Sequence, residues 1–386
     1  MNWNLHYNYH FPTEVFFGPG IVKKLGTHLK DRDYKRPLLV TDEGLSKLPL
    51  FKKIYEGLKS AGLTPEGHHQ IHKNPIKDDV LSGVETYHKK NCDSIIGLGG
   101  GASMDVARAI ALKCHHERDL FDFDDSLGGD KYVTEEIPYF VTIPTTSGTG
   151  SEVGRSTVIA DNKTKEKKIL FSPRLMAKAV FADPELTLDL PFHVTAATGM
   201  DALTHNIEAY LAKGFDPLCD GLALEGIRLI GESLEMATHK PSLEAQSKMM
   251  MAALMGATAF QKGLGVVHST AHPLSTLFDL HHGLANAIML KYGLEYNAET
   301  SGDKLEFLSK HLNIEDQTAE GFINFVHSLT QSLGLPQTLS SQGVKEKDIE
   351  KLAALAIKDV CHQSNPRPVT EFDFRKIYKN ALKGDQ

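Results

Sequence analysis

The chain has 386 residues, of which 41% are hydrophobic and 24% charged, so it has room for two globular domains of ordinary size. The net charge of −7 and the lack of a basic block argue against nucleic acid and anionic membranes as partners. The absence of a long apolar stretch, of a secretory signal and of any CxxC pair among the four cysteines predicts a cytoplasmic protein with reduced thiols.

The first half of the chain alternates short apolar segments with helical periodicity. TEVFF at 13–17 is predicted to be a short strand, and helices are predicted at 21–29, 49–61, 77–91 and after Ser103. Further strands are predicted at 37–42, 67–71, 93–101, 138–146, 156–161 and 179–184. This alternation indicates βαβ units and a mostly parallel sheet.

From about residue 192 the periodicity becomes helical and β-branched runs become rare. Helices are predicted at 196–212, 218–237, 244–260 and 345–360. The chain is therefore predicted to consist of an α/β domain, residues 1–188, and an all-α domain, residues 189–386.

The glycine run Gly97-Leu98-Gly99-Gly100-Gly101-Ala102 lies between a predicted strand and a predicted helix. Such a loop lets backbone approach a pyrophosphate, while the helix N-terminus supplies N–H donors. The run fits G-x-G-x-x-A and predicts a Rossmann-like dinucleotide site; the alternative is a tight turn without a ligand. In the standard dinucleotide fingerprint the glycines form the first βα turn and an acidic residue follows them. Here the run is not the first βα turn, and the acidic residue that ends a strand, Asp42, precedes it. The sequence therefore implies a nucleotide-binding fold whose elements follow a different order.

Two further segments are candidates for cofactor contacts. Asp42 ends the strand LLVTD, where its carboxylate would bind a ribose 2′-OH and repel a 2′-phosphate, which favours NAD over NADP. The alternative role for Asp42 is a cap at the end of the strand. Residues 145–149, TTSGT, could donate to phosphate or nicotinamide groups or form an ordinary hydroxyl-rich turn.

Histidines with helical spacing follow in the second half of the chain. Asp201 and His205 are four residues apart, as are His268 and His272, and this spacing places two side chains on one helix face. His282 follows at a glycine. One carboxylate and several imidazoles suit a divalent metal such as Fe(II) or Zn(II), although histidine pairs also occur without a metal.

The segment HSTAH lacks the glutamate of HExxH, so a zinc protease is not indicated. Pro273 disfavours helical geometry at His272, which predicts that His272 points differently from His268. If the metal ligands are Asp201, His205, His268 and His282, an open position could bind an alcohol oxygen and lower its pKa. The alkoxide would then transfer hydride to a nicotinamide.

Over nearly its whole length the chain resembles the iron-containing (group III) alcohol dehydrogenase family. The motifs that carry this resemblance are GGGASMD at 99–105, IPTTSGTGSE at 143–152, DPELT at 183–187, TGMDALTHNIEAY at 198–210, LGVVHSTAHPL at 264–274, HGLANAI at 282–288 and DVCHQSNPR at 359–367. The resemblance implies a dehydroquinate synthase-like architecture, with a nucleotide-binding α/β domain and a helical metal-binding domain. It implies an NAD-dependent alcohol dehydrogenase that acts on a small alcohol or aldehyde.

The resemblance also implies roles for individual residues. Metal ligands are implied at Asp201, His205, His268 and His282, for Fe²⁺ with Zn²⁺ or Ni²⁺ as alternatives, and His272 is implied as a proton relay. NAD contacts are implied at Asp42, Asn74, Gly100, Gly101, Ala102, Ser103, Thr145, Thr146, Thr149, Lys167 and Leu186, with Lys168 as an alternative to Lys167. Family members usually form homodimers or larger assemblies, often by exchange of an N-terminal strand, to which TEVFF corresponds.

Three positions depart from the family's usual pattern. Ala102 replaces a serine of the phosphate loop, with Ser103 one place later, and His281 precedes the ligand candidate His282. Phe260-Gln261-Lys262 replaces an aromatic-Ser-Asn stretch near the substrate pocket. Lys262 predicts a preference for a substrate with an acidic group.

Two other classes of function compete with the dehydrogenase. A lyase or cyclase of the dehydroquinate synthase type would also use NAD and a metal, but it typically has a Glu-His-His ligand set and more basic residues. Asp201 with three histidines argues against that class. A non-catalytic nucleotide or metal binder is the other alternative, and the sequence does not decide which alcohol or aldehyde is the substrate.

Overall fold

The computed structural model describes residues 13–162 and 166–384. The chain divides into two compact units. Of the described residues, the α/β unit contains 13–146 and 150–188, and the helical unit contains Ser147–Thr149 and 189–384.

The strands of the described residues all lie in the α/β unit. They are β1 (Glu14–Phe17), β2 (Pro37–Val40), β3 (Glu66–His68), β4 (Ser94–Gly99), β5 (Tyr139–Pro144), β6 (Ser156–Ala160), β7 (Lys167–Phe171) and β8 (Ala179–Ala182). A six-stranded parallel sheet has the order β1-β8-β5-β4-β2-β3, and β6 pairs with β7 in a separate antiparallel sheet. TEVFF is thus paired with β8 of its own chain; the residues before it lie outside the described part.

The central strands are mostly apolar and buried because hydrophobic clusters cover both faces of the parallel sheet. On β4, Ile95 belongs to the cluster on one face and Ile96 to the cluster on the other, as expected for side chains that alternate along a strand. Parallel strands bring their carboxyl ends to one edge, so the segments after β2, β4, β5 and β8 share that edge.

The described α-helices fall in both units. They are α1 (Leu25–Lys30), α2 (Glu43–Ser46), α3 (Pro49–Ser60), α4 (Lys77–Lys89), α5 (Gly101–Lys113), α6 (Phe192–Leu211), α7 (Pro217–His239), α8 (Leu243–Ala259), α9 (Val266–Phe278), α10 (His282–His311), α11 (Ala319–Ser332), α12 (Ile349–Ala356) and α13 (Glu371–Lys383). Helices α6 to α13 enclose one continuous apolar core within the helical unit.

The predicted fold class is confirmed, with an α/β part built on a parallel sheet and a helical part after it. Three details differ from the sequence-based prediction. The strand at 156–161 does not join the parallel sheet, because it forms a hairpin with β7, which was not predicted. The strand predicted at 67–71 ends at His68. His272 has helical geometry although Pro273 follows it, because α9 continues through both residues to Phe278.

No single helix of the described chain is long and apolar enough to cross a bilayer. The neighbouring segments Leu243–Lys262 and Val266–Phe278 meet the length and composition criteria only together, and they are bent by 108°. Both segments contribute buried side chains to the core of the helical unit. All four cysteines are free thiols.

Candidate metal centre and nucleotide-binding edge

Three helices of the helical unit bring the four predicted metal ligands together. Asp201 and His205 lie one turn apart on α6, His268 lies in the first turn of α9, and His282 is the first residue of α10. One ligand atom from each of the four side chains lies within 4.8 Å of the other three. Three of these residues are buried, and His282 is half-buried.

Individual distances show how closely the ligand atoms approach. Asp201 Oδ1 lies 3.5 Å from Nε2 of His282 and 4.0 Å from Nε2 of His205. The rings of His205 and His268 stack with centroids 4.7 Å apart. A carboxylate and three imidazoles within this spacing form a donor set that fits a divalent transition metal.

Asn286 lies one turn after His282 on α10 and occupies the middle of the cluster. Its amide Nδ2 donates to Asp201 Oδ1 at 2.7 Å and lies 3.3 Å from Nε2 of His268 and 3.2 Å from Nε2 of His282. Three acceptor atoms thus point at one N–H₂ group. The same three atoms would also attract a cation. Asn286 was not predicted as a site residue, although its i,i+4 spacing to His282 indicates that both side chains lie on one helix face.

Glu208 holds His268 in one orientation. One carboxylate oxygen accepts the backbone N–H of Val267 at 2.7 Å, and the other accepts Nδ1–H of His268 at 2.7 Å and its backbone N–H at 3.3 Å. The proton on Nδ1 leaves the lone pair of His268 on Nε2, the atom that faces Asn286. Glu208 was also missed in the sequence, although it lies three residues after His205 on the same helix.

Two glycines allow this close packing. A Cβ on Gly283 would lie 2.2 Å from the backbone oxygen of Ala197, so glycine after His282 lets α10 begin directly against α6. A Cβ on Gly265 would lie 2.7 Å from a carboxylate oxygen of Glu208. The glycines of HGLANAI and LGVVHSTAH therefore serve the assembly of the cluster, not only the local turn.

The pKa values of Asp201, His205 and His282 favour metal-binding protonation states, whereas His268 differs: burial lowers its pKa, but the hydrogen bond to Glu208 raises it above the ordinary value. Burial raises the pKa of Asp201, but the imidazoles of His205, His282 and His268 lower it more, to about 2. Burial lowers the pKa of His205 to about 4 and the pKa of His282 well below its ordinary value. At neutral pH the carboxylate is therefore ionised and these two imidazoles carry free lone pairs.

His272 lies beside the cluster and is not part of it. Its ring stacks on the ring of His282 with centroids 5.2 Å apart, and its Nδ1 donates to Oδ2 of Asp359 at 2.7 Å. Its side chain is 34% exposed, so it has access to solvent. Asp359 was not predicted as a functional residue, and only its position in the motif DVCHQSNPR pointed to it.

The segment Phe260–Lys262 behaves differently from the prediction. The ring of Phe260 contacts His205, with centroids 5.1 Å apart, so this aromatic side chain borders the metal cluster. Lys262 instead pairs with Asp220 and donates to the backbone oxygen of Tyr210, and its side chain is 2% exposed. The charge of Lys262 is neutralised inside the protein, which removes the basis for a preference for acidic substrates. His281 is exposed and does not belong to the ligand group.

The glycine loop lies at the carboxyl edge of the parallel sheet, as a nucleotide site requires. Gly99 ends β4 with a φ of 143°, and Gly100 is the N-cap of α5. A Cβ on Gly99 would lie 2.6 Å from Oγ of Ser103, so this position needs glycine. The free N–H groups at the start of α5 are available to a phosphate.

Asp42 has the capping role that the sequence left open, and it also lies beside the glycine loop. Its Oδ1 caps α2 by accepting the N–H of Leu45 at 2.8 Å. Its Oδ2 accepts a hydrogen bond from Oγ of Ser103 at 3.4 Å, which places it next to the glycine loop. Ser103 therefore contacts Asp42 with its hydroxyl group.

The remaining predicted NAD contacts are placed as follows. Thr145 and Thr146 follow β5 at the same edge as the glycine loop, and the half-buried Leu186 lies in a turn after β8. Asn74 is exposed after β3, and Thr149 belongs to the helical unit. Of the two candidate lysines, Lys168 lies 3.5 Å from Asp124, whereas Lys167 is exposed on the opposite face of β7.

A glycine loop at the carboxyl edge of a parallel sheet, together with a buried Asp-His₃ cluster, defines a nucleotide- and metal-dependent enzyme. Family comparison is consistent with this class: the iron-containing alcohol dehydrogenase profile matches residues 12–184, and the C-terminal profile of the Fe-containing alcohol dehydrogenase family matches residues 195–382. The chain belongs to the iron-containing alcohol dehydrogenase family. The predicted class of enzyme, an alcohol dehydrogenase, is thereby confirmed.

Individual relatives match over the full length. The chain is 37% identical to a 1,3-propanediol dehydrogenase of Citrobacter freundii, over 97% of this chain and 99% of the relative. It is 35% identical to an NAD-dependent methanol dehydrogenase of Bacillus methanolicus, over 97% and 100%. The crystal structure of a 1,3-propanediol oxidoreductase superposes with a TM-score of 0.94 at 35% identity, over 98% of this chain and 100% of that one.

Proposed function

We propose that this protein oxidises small alcohols to aldehydes, and reduces aldehydes in reverse, with NAD(H) and one divalent cation. The cation is Fe²⁺, held by Asp201, His205, His268 and His282, and Zn²⁺ or Ni²⁺ suit the same donor set. The convergence of these four side chains in a chain of this family carries the proposal. The names of the relatives, which include a propanediol and a methanol dehydrogenase, support short alcohols as substrates.

When bound, the cation supplies a Lewis acid that acidifies an alcohol hydroxyl and polarises an aldehyde carbonyl, and NAD supplies the hydride acceptor. Asn286 fixes the carboxylate of Asp201, and Glu208 fixes the lone pair of His268. His272 moves the hydroxyl proton to solvent. Its Nδ1–H is held by Asp359, so Nε2 is the atom that accepts the proton.

The α/β domain, residues 1–188, is proposed to bind NAD, and the helical domain, residues 189–386, to hold the metal. The N–H groups at the start of α5 contact the pyrophosphate, and Asp42 accepts the ribose hydroxyl. Lys167 is proposed as the lysine that contacts NAD, with Lys168 as the alternative, because Lys167 is the more exposed of the two. The other proposed NAD contacts are Asn74, Gly100, Gly101, Ala102, Ser103, Thr145, Thr146, Thr149 and Leu186.

The variant Asp42→Gly is expected to lose the preference of the wild-type enzyme for NAD over NADP. The carboxylate repels a 2′-phosphate, and placing like charges together costs several kcal/mol, so discrimination should fall by about tenfold or more. The ratio of kcat/KM values for NAD and NADP measures this effect. A wild-type enzyme that is faster with NADP would show that Asp42 has another role.

Asp42→Ser serves as the control for this variant. Serine is also a good N-cap, so α2 keeps its cap while the charge is lost. Both variants should lose the preference for NAD, whereas only Asp42→Gly should also lose roughly a few tenths of a kcal/mol of stability from the missing cap.

Removal of the metal is expected to abolish turnover while NAD still binds. Metal-free protein should regain activity on addition of Fe(II) or Zn(II), measured as NADH formation across a panel of short alcohols and as NADH consumption with the aldehydes. Net NADH formation also distinguishes the enzyme from a lyase of the dehydroquinate synthase type, which returns its NAD to the oxidised form. Equal turnover with and without metal would contradict the mechanism.

We also propose a cytoplasmic homodimer or larger homo-oligomer. Four free cysteines support a reducing compartment. The family resemblance supports self-association.

A further inference from the structure

A second group of metal-binding side chains lies next to the metal centre. It consists of His272, Asp359 and Cys361, whose ligand atoms all lie within 4.8 Å of one another. It shares no residue with the Asp201 cluster, and it differs from that cluster in one chemical respect, because it contains a sulfur atom. Nδ1 of His272 and Oδ2 of Asp359 are 2.7 Å apart.

The carboxylate of Asp359 is held in place from its other side. Its Oδ1 accepts the hydroxyl of Ser269 at 2.7 Å and the backbone N–H of Cys361 at 2.9 Å. Oδ2 is thereby directed toward the imidazole. The three potential ligands come from α9 and from the segment after α12, and the half-buried side chains of His272 and Asp359 can be reached from solvent.

We propose that His272, Asp359 and Cys361 form a second cation site that binds thiophilic dications such as Zn²⁺ and Cd²⁺. Thiolate and imidazole ligands favour these ions over Mg²⁺ and Ca²⁺, which prefer oxygen. Three protein ligands leave a position for water.

Binding releases one proton for each dication. Burial raises the pKa of the Cys361 thiol well above its ordinary value, so the free protein carries a neutral thiol there. A cation displaces the thiol proton to solvent, the proton of the neutral His272 imidazole moves from Nδ1 to Nε2, and Sγ, Nδ1 and a carboxylate oxygen then coordinate the cation. His272 is no longer available as the proton relay, so occupancy of this site inhibits turnover.

Another cysteine–carboxylate pair offers a matched control. Sγ of Cys219 donates to Oδ2 of Asp216 at 3.0 Å, which resembles the Cys361–Asp359 arrangement without the histidine. Among the described residues this pair belongs to no group of three metal-binding side chains. Cys219→Ser should therefore leave cation binding unchanged.

The test is a titration of Cd²⁺ into the metal-loaded enzyme after excess metal has been removed. The thiolate-to-cadmium charge-transfer absorption does not report the first centre, because the ligands of that centre contain no sulfur. One equivalent is expected to produce the band in the wild type and in Cys219→Ser, and no band in Cys361→Ser. His272→Gln should weaken binding by at least about tenfold, because one of three ligands is lost.

Inhibition provides a second readout. Cd²⁺ should inhibit the wild type and Cys219→Ser, while Cys361→Ser retains its basal turnover in the presence of the ion. Inhibition depends on the proposed role of His272 as the proton relay, whereas the absorption band does not. The cation site and the role of His272 can therefore be disproved separately. Binding without inhibition would overturn the inhibitory role.

Three results would overturn the site itself. These are absence of the band in the wild type, persistence of the band in Cys361→Ser, and equal Cd²⁺ affinity in His272→Gln and the wild type. The thermal unfolding temperature of each cation-free variant checks folding, and serine can keep the hydrogen bond to Asp359.

Discussion

Replacing His282 with alanine is expected to lower turnover by about a thousandfold or more while NAD binding is retained. Its Nε2 lies 3.5 Å from Asp201 Oδ1 and within the ligand group, so its loss leaves three of four metal ligands. A Lewis acid contributes several kcal/mol to the transition state, and each 1.4 kcal/mol corresponds to a factor of ten in rate. His268→Ala should have the same effect.

The neighbouring His281 provides the control. It is exposed and lies outside the ligand group, although it differs from His282 by only one position. His281→Ala should keep its metal through dialysis and its turnover within about twofold of the wild type, since surface substitutions usually change little. Metal content, NADH formation and NAD affinity should be measured on both variants. A fully active His282→Ala enzyme would show that the ligand set is misassigned.

The ligand cluster was predictable because most of its information is local. Asp201 and His205 share one helix face by their spacing, and His282 is marked by the glycine that lets α10 approach α6. The parallel sheet was predictable for a related reason. Strands buried on both faces are apolar at consecutive positions, as in PLLV and SIIGLG.

The errors arose where a distant partner decides the role of a side chain. Lys262 was interpreted as a substrate contact, but it pairs with Asp220, which lies 42 residues earlier on a different helix. Glu208 was not singled out because its partners, Val267 and His268, lie about 60 residues away. The hairpin of β6 and β7 was missed because the sequence of β7, KKILF, shows little alternation of polar and apolar residues and begins with two charged residues, as a loop can.

The variant Glu208→Gln is expected to weaken metal binding by about 10- to 100-fold, the usual cost of losing the partner of a metal-bound histidine. The carboxylate accepts three N–H groups with two oxygens, whereas glutamine offers one oxygen and one NH₂ group. One N–H is then left without an acceptor in a site where Glu208 is 3% exposed. That loss also costs about 1–3 kcal/mol of stability.

Asp79 in the α/β unit offers a control of matching chemistry. It is 3% exposed, accepts the backbone N–H groups of His72 and Ile76, and lies 2.7 Å from Nδ1 of His72, but it has no part in the metal centre. Asp79→Asn should lose comparable stability and keep full metal affinity. Competition with a chelator measures affinity, and the shift of the unfolding temperature on metal addition gives an independent measure. Equal metal affinity in Glu208→Gln and the wild type would show that Glu208 acts only as a cap for α9.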